Sequence, residues 1–259
     1  MKQPNLLKEI LQNKGLEVEA RKKKLPLEEL KKDLDKFPLR NFEEAISSKQ
    51  RQINLIAEIK KASPSEGVLR EKFDLLQIVE VYNKHAQAIS VLTDEKYFQG
   101  KLEYVQQVKE ATGLPVLQKD FIIDEYQIYE ARAAGADAIL LIAAGLAKEK
   151  LRKLHLIAGS IGLQCLVEVR SGYDVDKALA ARAEIVGINN RDLATLKLDL
   201  RTTACLRNML PEEKTIVSES GFNSAKDIEV VKGKVDAVLI GSALMKAEDI
   251  EAKLLELGF

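Results

Sequence analysis

LIAEIKKASPSEG, residues 55–67, opens on an apolar run and breaks at Ser63-Pro64-Ser65. Side chains two apart on a strand share a face. Read as a strand entering a loop, the stretch sets Glu58 and Lys60 side by side where the strand ends. In an α/β protein, charged groups at a strand's carboxyl end point to a ligand site. The stretch is also the first of a series. Apolar runs recur at Leu55–Ile59, Ala88–Leu92, Pro115–Leu117, Ala138–Ile142, Cys165–Val169, Ile185–Ile188, Thr215–Val217 and Ala237–Ile240. Amphipathic segments over 74–84, 101–111, 124–133, 148–160, 172–182, 201–209, 224–232 and 248–257 separate and follow them.

Strand alternating with helix argues for a parallel sheet. Eight such units in 259 residues argue for a closed (β/α)₈ TIM barrel rather than an open sheet. AAGADAILLI (133–142) and VKGKVDAVLIG (231–241) each place a glycine after a helix and Asp-Ala before a strand, the glycine suited to a left-handed helix stop. The first fifty residues read as a charged, helical extension: Leu6, Leu7, Ile10 and Leu11 repeat with helical spacing, and Pro26-Leu27 opens a second short helix. No Pro/Gly/Ser-rich linker divides the chain, so one domain is expected, extension 1–50 and barrel 51–259.

Composition narrows the function. Lys+Arg and Asp+Glu are 40 each, so no global field favours nucleic acid or an anionic membrane. The N-terminus has no long apolar core of a secretory signal, and no apolar run reaches the length of a membrane span. Cys165 and Cys205 are too few and too scattered for a disulfide framework or a zinc site; two reduced thiols in a cytoplasmic protein are expected. His85 and His155 fall on predicted helices or their ends and read as structural or exposed. The run Arg21–Lys24 reads as a solvated helix end, or as an attractor of anionic ligands towards a nearby opening.

In a barrel all eight carboxyl ends meet at one mouth. There the sequence delivers Glu58, Lys60, Lys119, Glu168, Asn189 and Glu219. Any one of them is explained by a rim salt bridge; six directed at one cavity are better explained as a site. Two roles are open to the lysines: desolvation is expected to lower a lysine pKa there and make it a proton donor near neutrality, or the ammonium binds a carboxylate as a plain counter-ion. Glu168, among apolar neighbours, is expected to have a raised pKa and to act as a base. Phe98, Phe121 and Leu140 offer an apolar wall suited to an aromatic substrate, or plain core packing. Ser220-Gly221 and Gly241-Ser242 end the last two strands, where barrels commonly hold phosphate, with Ser63 able to add a hydroxyl; the alternative is that these glycines merely make tight turns.

With these residues in place, the chain resembles the indole-3-glycerol-phosphate synthase family. IAEIKKASPS (56–65), SVLTDEKYFQG (90–100), PVLQKDFIID (115–124), ADAILLI (136–142), LVEV (166–169), GINNRDL (187–193), SESG (218–221) and LIGSALM (239–245) carry the resemblance collinearly, with ARKKKLPLEEL (20–30) in the extension. One departure is Glu66, where a basic residue is common.

The resemblance implies a lyase of tryptophan biosynthesis that turns 1-(2-carboxyphenylamino)-1-deoxyribulose 5-phosphate into indole-3-glycerol phosphate, without metal or cofactor. It implies Lys119 as general acid, Glu168 as general base, and Lys60 at the substrate's carboxylate and phosphate side. Glu58, Asn189 and Glu219 complete the polar ring, with Arg191 in support. Phe98, Phe121, Leu140 and Leu239 fall to the substrate pocket, and Ser63, Ser220, Gly221, Gly241 and Ser242 to the phosphate. A monomer is expected; association with other pathway enzymes is left open. The rival readings are another phosphosugar barrel enzyme such as an isomerase, a metal-dependent barrel using Glu58, Glu168 and Glu219, and a non-catalytic phospho-ligand binder.

Overall fold

The strands are buried on both faces, and their side chains alternate between a central cluster and one shared with the surrounding helices as the chain closes into a barrel. The computed structural model describes residues 6–192 and 195–259; Leu193, the last residue of the GINNRDL segment, lies outside them. The barrel strands are β1 (Asn54–Ile59), β2 (Ala88–Leu92), β3 (Val116–Lys119), β4 (Ala138–Ile142), β5 (Gln164–Val169), β6 (Ile185–Asn189), β7 (Thr215–Glu219) and β8 (Ala237–Ile240). Each pairs in parallel with the next, and β8 closes onto β1 through Leu55↔Val238 and Ile56↔Leu239. Every expected strand and helix is present.

Alternation then decides each residue's neighbours. Leu55, Ala57 and Ile59 pack outward with the surrounding helices, whereas Ile56 belongs to the barrel interior. Ile56, Leu117, Leu166 and Val217, from β1, β3, β5 and β7, lie in that interior cluster. Interior side chains of such barrels stack in layers drawn from alternate strands. Two residues further along the same four strands come Glu58, Lys119, Glu168 and Glu219. The polar residues are thus the next level of the interior. This is why the apolar runs stop short: β3, β6 and β7 continue to Lys119, Asn189 and Glu219.

The glycine–aspartate junctions do a shared job. Gly135 and Gly233 take positive φ (93° and 73°). Asp137 Oδ2 accepts from Val116 N–H and Asp236 Oδ2 from Ile216 N–H, each at 2.8 Å. Each aspartate thus ties the start of its strand to the preceding one.

The N-terminal extension caps both ends of the cylinder. Helix α1 (Leu6–Lys24) buries Leu7 and Ile10 against the interior cluster at the mouth. Its Lys14, only 2% exposed, sits between Asp94 Oδ2 at 2.8 Å and Asp120 Oδ1 at 2.9 Å. Arg21 reaches Glu130 at 3.1 Å and Lys22 reaches Asp124 at 2.8 Å, so half of the basic run is an ion-pair seam rather than a solvated end. Helix α2 (Leu27–Leu30) starts after Pro26, whose extended ψ of 150° makes it the N-cap and not a first-turn residue. Helix α3 (Phe42–Ser47) plugs the opposite end: Phe42 and Ile46 are fully buried among the inward residues. Gln164 Oε1 at the start of β5 accepts from Phe42 N–H at 2.6 Å and Glu43 N–H at 3.0 Å. His85 pairs with Glu251 and His155 with Glu184, consistent with structural roles.

Lys14 bridges Asp94 and Asp120 in the interior and, against burial, holds the Asp120 carboxyl below the ordinary range, and removing one partner of a buried pair is costly. Lys14→Ala is expected to lower unfolding free energy by about 3–5 kcal/mol at neutral pH, read by denaturant titration. A loss below about 1 kcal/mol, the size of an exposed ion pair, would contradict this.

Candidate active site

Lys119, at the tip of β3, hydrogen-bonds Glu219 at the tip of β7 and lies 3.8 Å from Glu58 Oε2. Lys60 Nζ meets the other Glu58 oxygen at 2.8 Å, so one carboxylate spans both lysines. Burial pulls the Lys119 pKa down, but Glu219, Glu58 and Glu168 outweigh it and hold the pKa above the ordinary lysine range. The expected lowering is therefore reversed: desolvation operates, and three carboxylates overrule it. Glu58 is likewise kept ionised, burial opposing it and both lysines prevailing.

The Glu168 pKa is raised, in the expected direction. Burial, then repulsion from Glu219, pushes its pKa up to about 7, against Lys119 and a hydrogen bond from Asn189. Asn189 is oriented for this, because its Oδ1 accepts from the Arg191 N–H at 2.9 Å. Three carboxylates facing two ammonium groups leave one negative charge in excess, and Glu168 is the group that shares a proton with solvent at neutrality.

One cavity gathers fifteen of the sixteen expected site residues: Glu58, Lys60, Ser63, Phe98, Lys119, Phe121, Leu140, Glu168, Asn189, Arg191, Ser220, Gly221, Leu239, Gly241 and Ser242. Glu219 is the exception. It is 1% exposed and stands behind Lys119 rather than on the cavity wall. The phenyl rings of Phe98 and Phe121 tilt together at 6.0 Å. Phe98 is placed by a short helix, Glu95–Phe98, capped by the Asp94 side chain. Among the described residues, no group of three or more His, Cys, Asp or Glu is arranged to hold a metal ion. The glutamates of the metal-dependent reading are instead engaged by Lys60, Lys119 and Asn189.

In the loop after β1, Ser63 Oγ is buried and has no hydrogen-bond partner among the described residues. Ser220 and Gly221 both take positive φ, 68° and 97°, a strained turn of the kind kept at functional sites. Ser242 Oγ is taken by Glu66 at 2.7 Å.

The comparisons with known proteins agree with this geometry. Residues 7–257 match the family model described as Indole-3-glycerol phosphate synthase. The chain belongs to the indole-3-glycerol phosphate synthase family. It is 45% identical over 257 residues to the indole-3-glycerol phosphate synthase of Dehalococcoides mccartyi, covering 97% of this chain and 99% of that protein. It is also 45% identical over 253 residues to that of Clostridium kluyveri, covering 95% of each. Among solved structures, the 3-hexulose-6-phosphate synthase of Salmonella typhimurium superposes with a TM-score of 0.63 at 15% identity, covering 79% of this chain and 96% of that one, which shows the shared barrel alone.

Some contributors in this member of the family carried no readable signal. Leu6 and Ile10 of α1 line the cavity, yet their helical spacing said nothing of what they face. Gly187 and Gly241 make room for carboxylates: a Cβ at Gly187 would overlap Glu219 Oε1, and one at Gly241 would overlap Glu58 Oε1. The β6–β7 register sets Asn189 beside Glu219 and Gly187 beside Val217, so the gap lies one inward step below the tip. Gly187→Ala is expected to leave the melting temperature within a few degrees and to lower kcat/KM about a hundredfold, because small misplacements of reacting groups cost that much. Near-normal activity would show that the seat of Glu219 does not matter.

Proposed function

We propose that the residues of this cavity divide the family's reaction among themselves as follows. The chain is a carboxy-lyase that closes the pyrrole ring of 1-(2-carboxyphenylamino)-1-deoxyribulose 5-phosphate, with loss of carbon dioxide and water, to give indole-3-glycerol phosphate. The observation that carries the assignment is the Lys119 ammonium, held charged by Glu219 and Glu58 beside the Phe98–Phe121 wall.

When the aromatic carbon attacks the substrate carbonyl, a proton must reach the carbonyl oxygen, and Lys119 supplies it. Loss of carbon dioxide then restores aromaticity and needs no protein base. Dehydration needs an acid at the departing hydroxyl and a base for the proton on the ring nitrogen. Glu168, poised near neutrality, is that base. The acid of this step is one of the two lysines. Lys60, steadied by Glu58, holds the substrate's carboxylate and phosphate side. Glu219 works through Lys119, Asn189 orients Glu168, and Arg191 supports Asn189 through its backbone. Leu140 and Leu239 complete the apolar side with the two phenylalanines. Ser63, Ser220, Gly221, Gly241 and Ser242 form the seat for the phosphate. We read the enzyme as a cytoplasmic monomer of one barrel domain that needs no metal or cofactor, since side-chain acids and bases cover every proton transfer. No helix among the described residues is long and apolar enough to cross a membrane.

The direct test is incubation with the carboxyphenylamino-deoxyribulose phosphate while indole fluorescence is followed. Lys119→Ala is expected to lower turnover about 10²–10⁴-fold, the usual contribution of a general acid, with substrate binding retained in a titration. Near-normal turnover would refute the role. A base must be deprotonated to act, so kcat/KM should rise with pH through about 7, the Glu168 value, and the raised Lys119 pKa should leave no alkaline fall until well beyond it. In Glu168→Gln the acid limb should vanish along with most of the rate; its persistence would assign that limb to another group.

A further inference from the structure

The loop after β1 folds into a small hairpin. Ala62 pairs with Val68 and Ser63 with Gly67, and Glu66 N–H donates to Ser63 O at 3.3 Å. This turn carries the Glu66 side chain onto the segment after β8. There one carboxylate oxygen accepts from Ser242 Oγ at 2.7 Å, and the other meets Lys246 Nζ at 2.6 Å. Glu66, Ser63, Gly241 and Ser242 line the same cavity. Burial works against the Glu66 carboxylate, but Lys246 and Ser242 outweigh it and keep its pKa below the ordinary range, so it is an anion at neutral pH.

A hydroxyl and an ammonium converging on two oxygens of one anion is the donor set that a phosphate monoester takes. Glu66 therefore stands where substrate oxygens belong. A dianionic phosphate cannot share Ser242 with a carboxylate, since like charges at contact distance repel. Lys246 is half exposed, and its ion pair with Glu66 can exchange. We propose that Lys246 is an additional ligand of the substrate's phosphate, and that Glu66 occupies this subsite as an internal anion until the phosphate displaces it. The inference rests on the reading of the β7 and β8 ends as the phosphate seat. On binding, the hairpin tip moves off Ser242, and Lys246 changes partner from carboxylate to phosphate. Glu66 thereby lowers apparent affinity, because only the fraction of molecules with the subsite open binds.

The probe is inorganic phosphate, titrated calorimetrically into wild type, Glu66→Gln, Lys246→Met and the double variant, each checked by thermal melt. Glu66→Gln is expected to bind phosphate several-fold to about tenfold more tightly, and Lys246→Met more weakly than wild type. In the double variant most of the Glu66→Gln gain should disappear. With the phosphorylated substrate, the same changes should appear in KM. The proposal is overturned if Glu66→Gln binds phosphate no more tightly than wild type, or if its gain survives Lys246→Met. If no variant binds phosphate and Ser242→Ala leaves the substrate KM unchanged, the phosphate seat itself is wrong and the proposal falls with it.

Discussion

A single ammonium, Lys119, organises the mouth of this barrel. A lysine at that depth is stable as a cation only because Glu219 and Glu58 are brought against it from β7 and β1. Those carboxylates fit only because residues 187 and 241 have no side chain. The same cluster fixes the state of Glu168: it joins a site that already holds Glu219, and burial with that repulsion raises its pKa to about 7. One constraint, the neutralisation of a buried lysine, thus yields an ammonium that stays protonated and a carboxyl group poised at neutrality. This pair suits a reaction that needs both within one turnover.

The extension serves the site from outside the barrel. Helix α1 supplies Leu6 and Ile10 to the apolar side of the cavity and is pinned by Lys14 between Asp94 and Asp120. Asp94 also caps the short helix that presents Phe98, and Asp120 directly follows Lys119 and accepts from the Phe121 N–H at 2.7 Å. The buried ion cluster is therefore joined to both rings of the aromatic wall and to the residue beside the central lysine. At the other end α3 closes the interior with Phe42 and Ile46, so the inward face meets no solvent there.

The barrel was legible in the sequence because its signal is periodic and local. Each apolar run is short, β-branched or leucine-rich, and bounded by helix stops, as at Gly135 and Gly233. The polar level was legible for a related reason, since Glu58, Lys119, Glu168 and Glu219 sit at the tips of runs whose parity is readable. What resisted reading was distance. Whether Lys119 has a lowered or raised pKa depends on carboxylates from three other strands, and no spacing along the chain reports that. Lys14 looks like any surface lysine on a charged helix until Asp94 and Asp120 are placed around it. The set-back position of Glu219 follows from the gap at Gly187, a residue that in sequence is only one more glycine in a strand.

The central claim is that the carboxyl groups around Lys119 divide into one that shares its proton near neutrality and one that stays ionised. Carbon-13 NMR titration of the glutamate side-chain carboxyls in the unliganded protein measures this directly, with Glu168 and Glu58 assigned by substitution. The account predicts that Glu168 titrates near pH 7 while Glu58 titrates below the ordinary carboxylate range. Glu168 titrating at an ordinary value near 4, in step with surface glutamates, would contradict it.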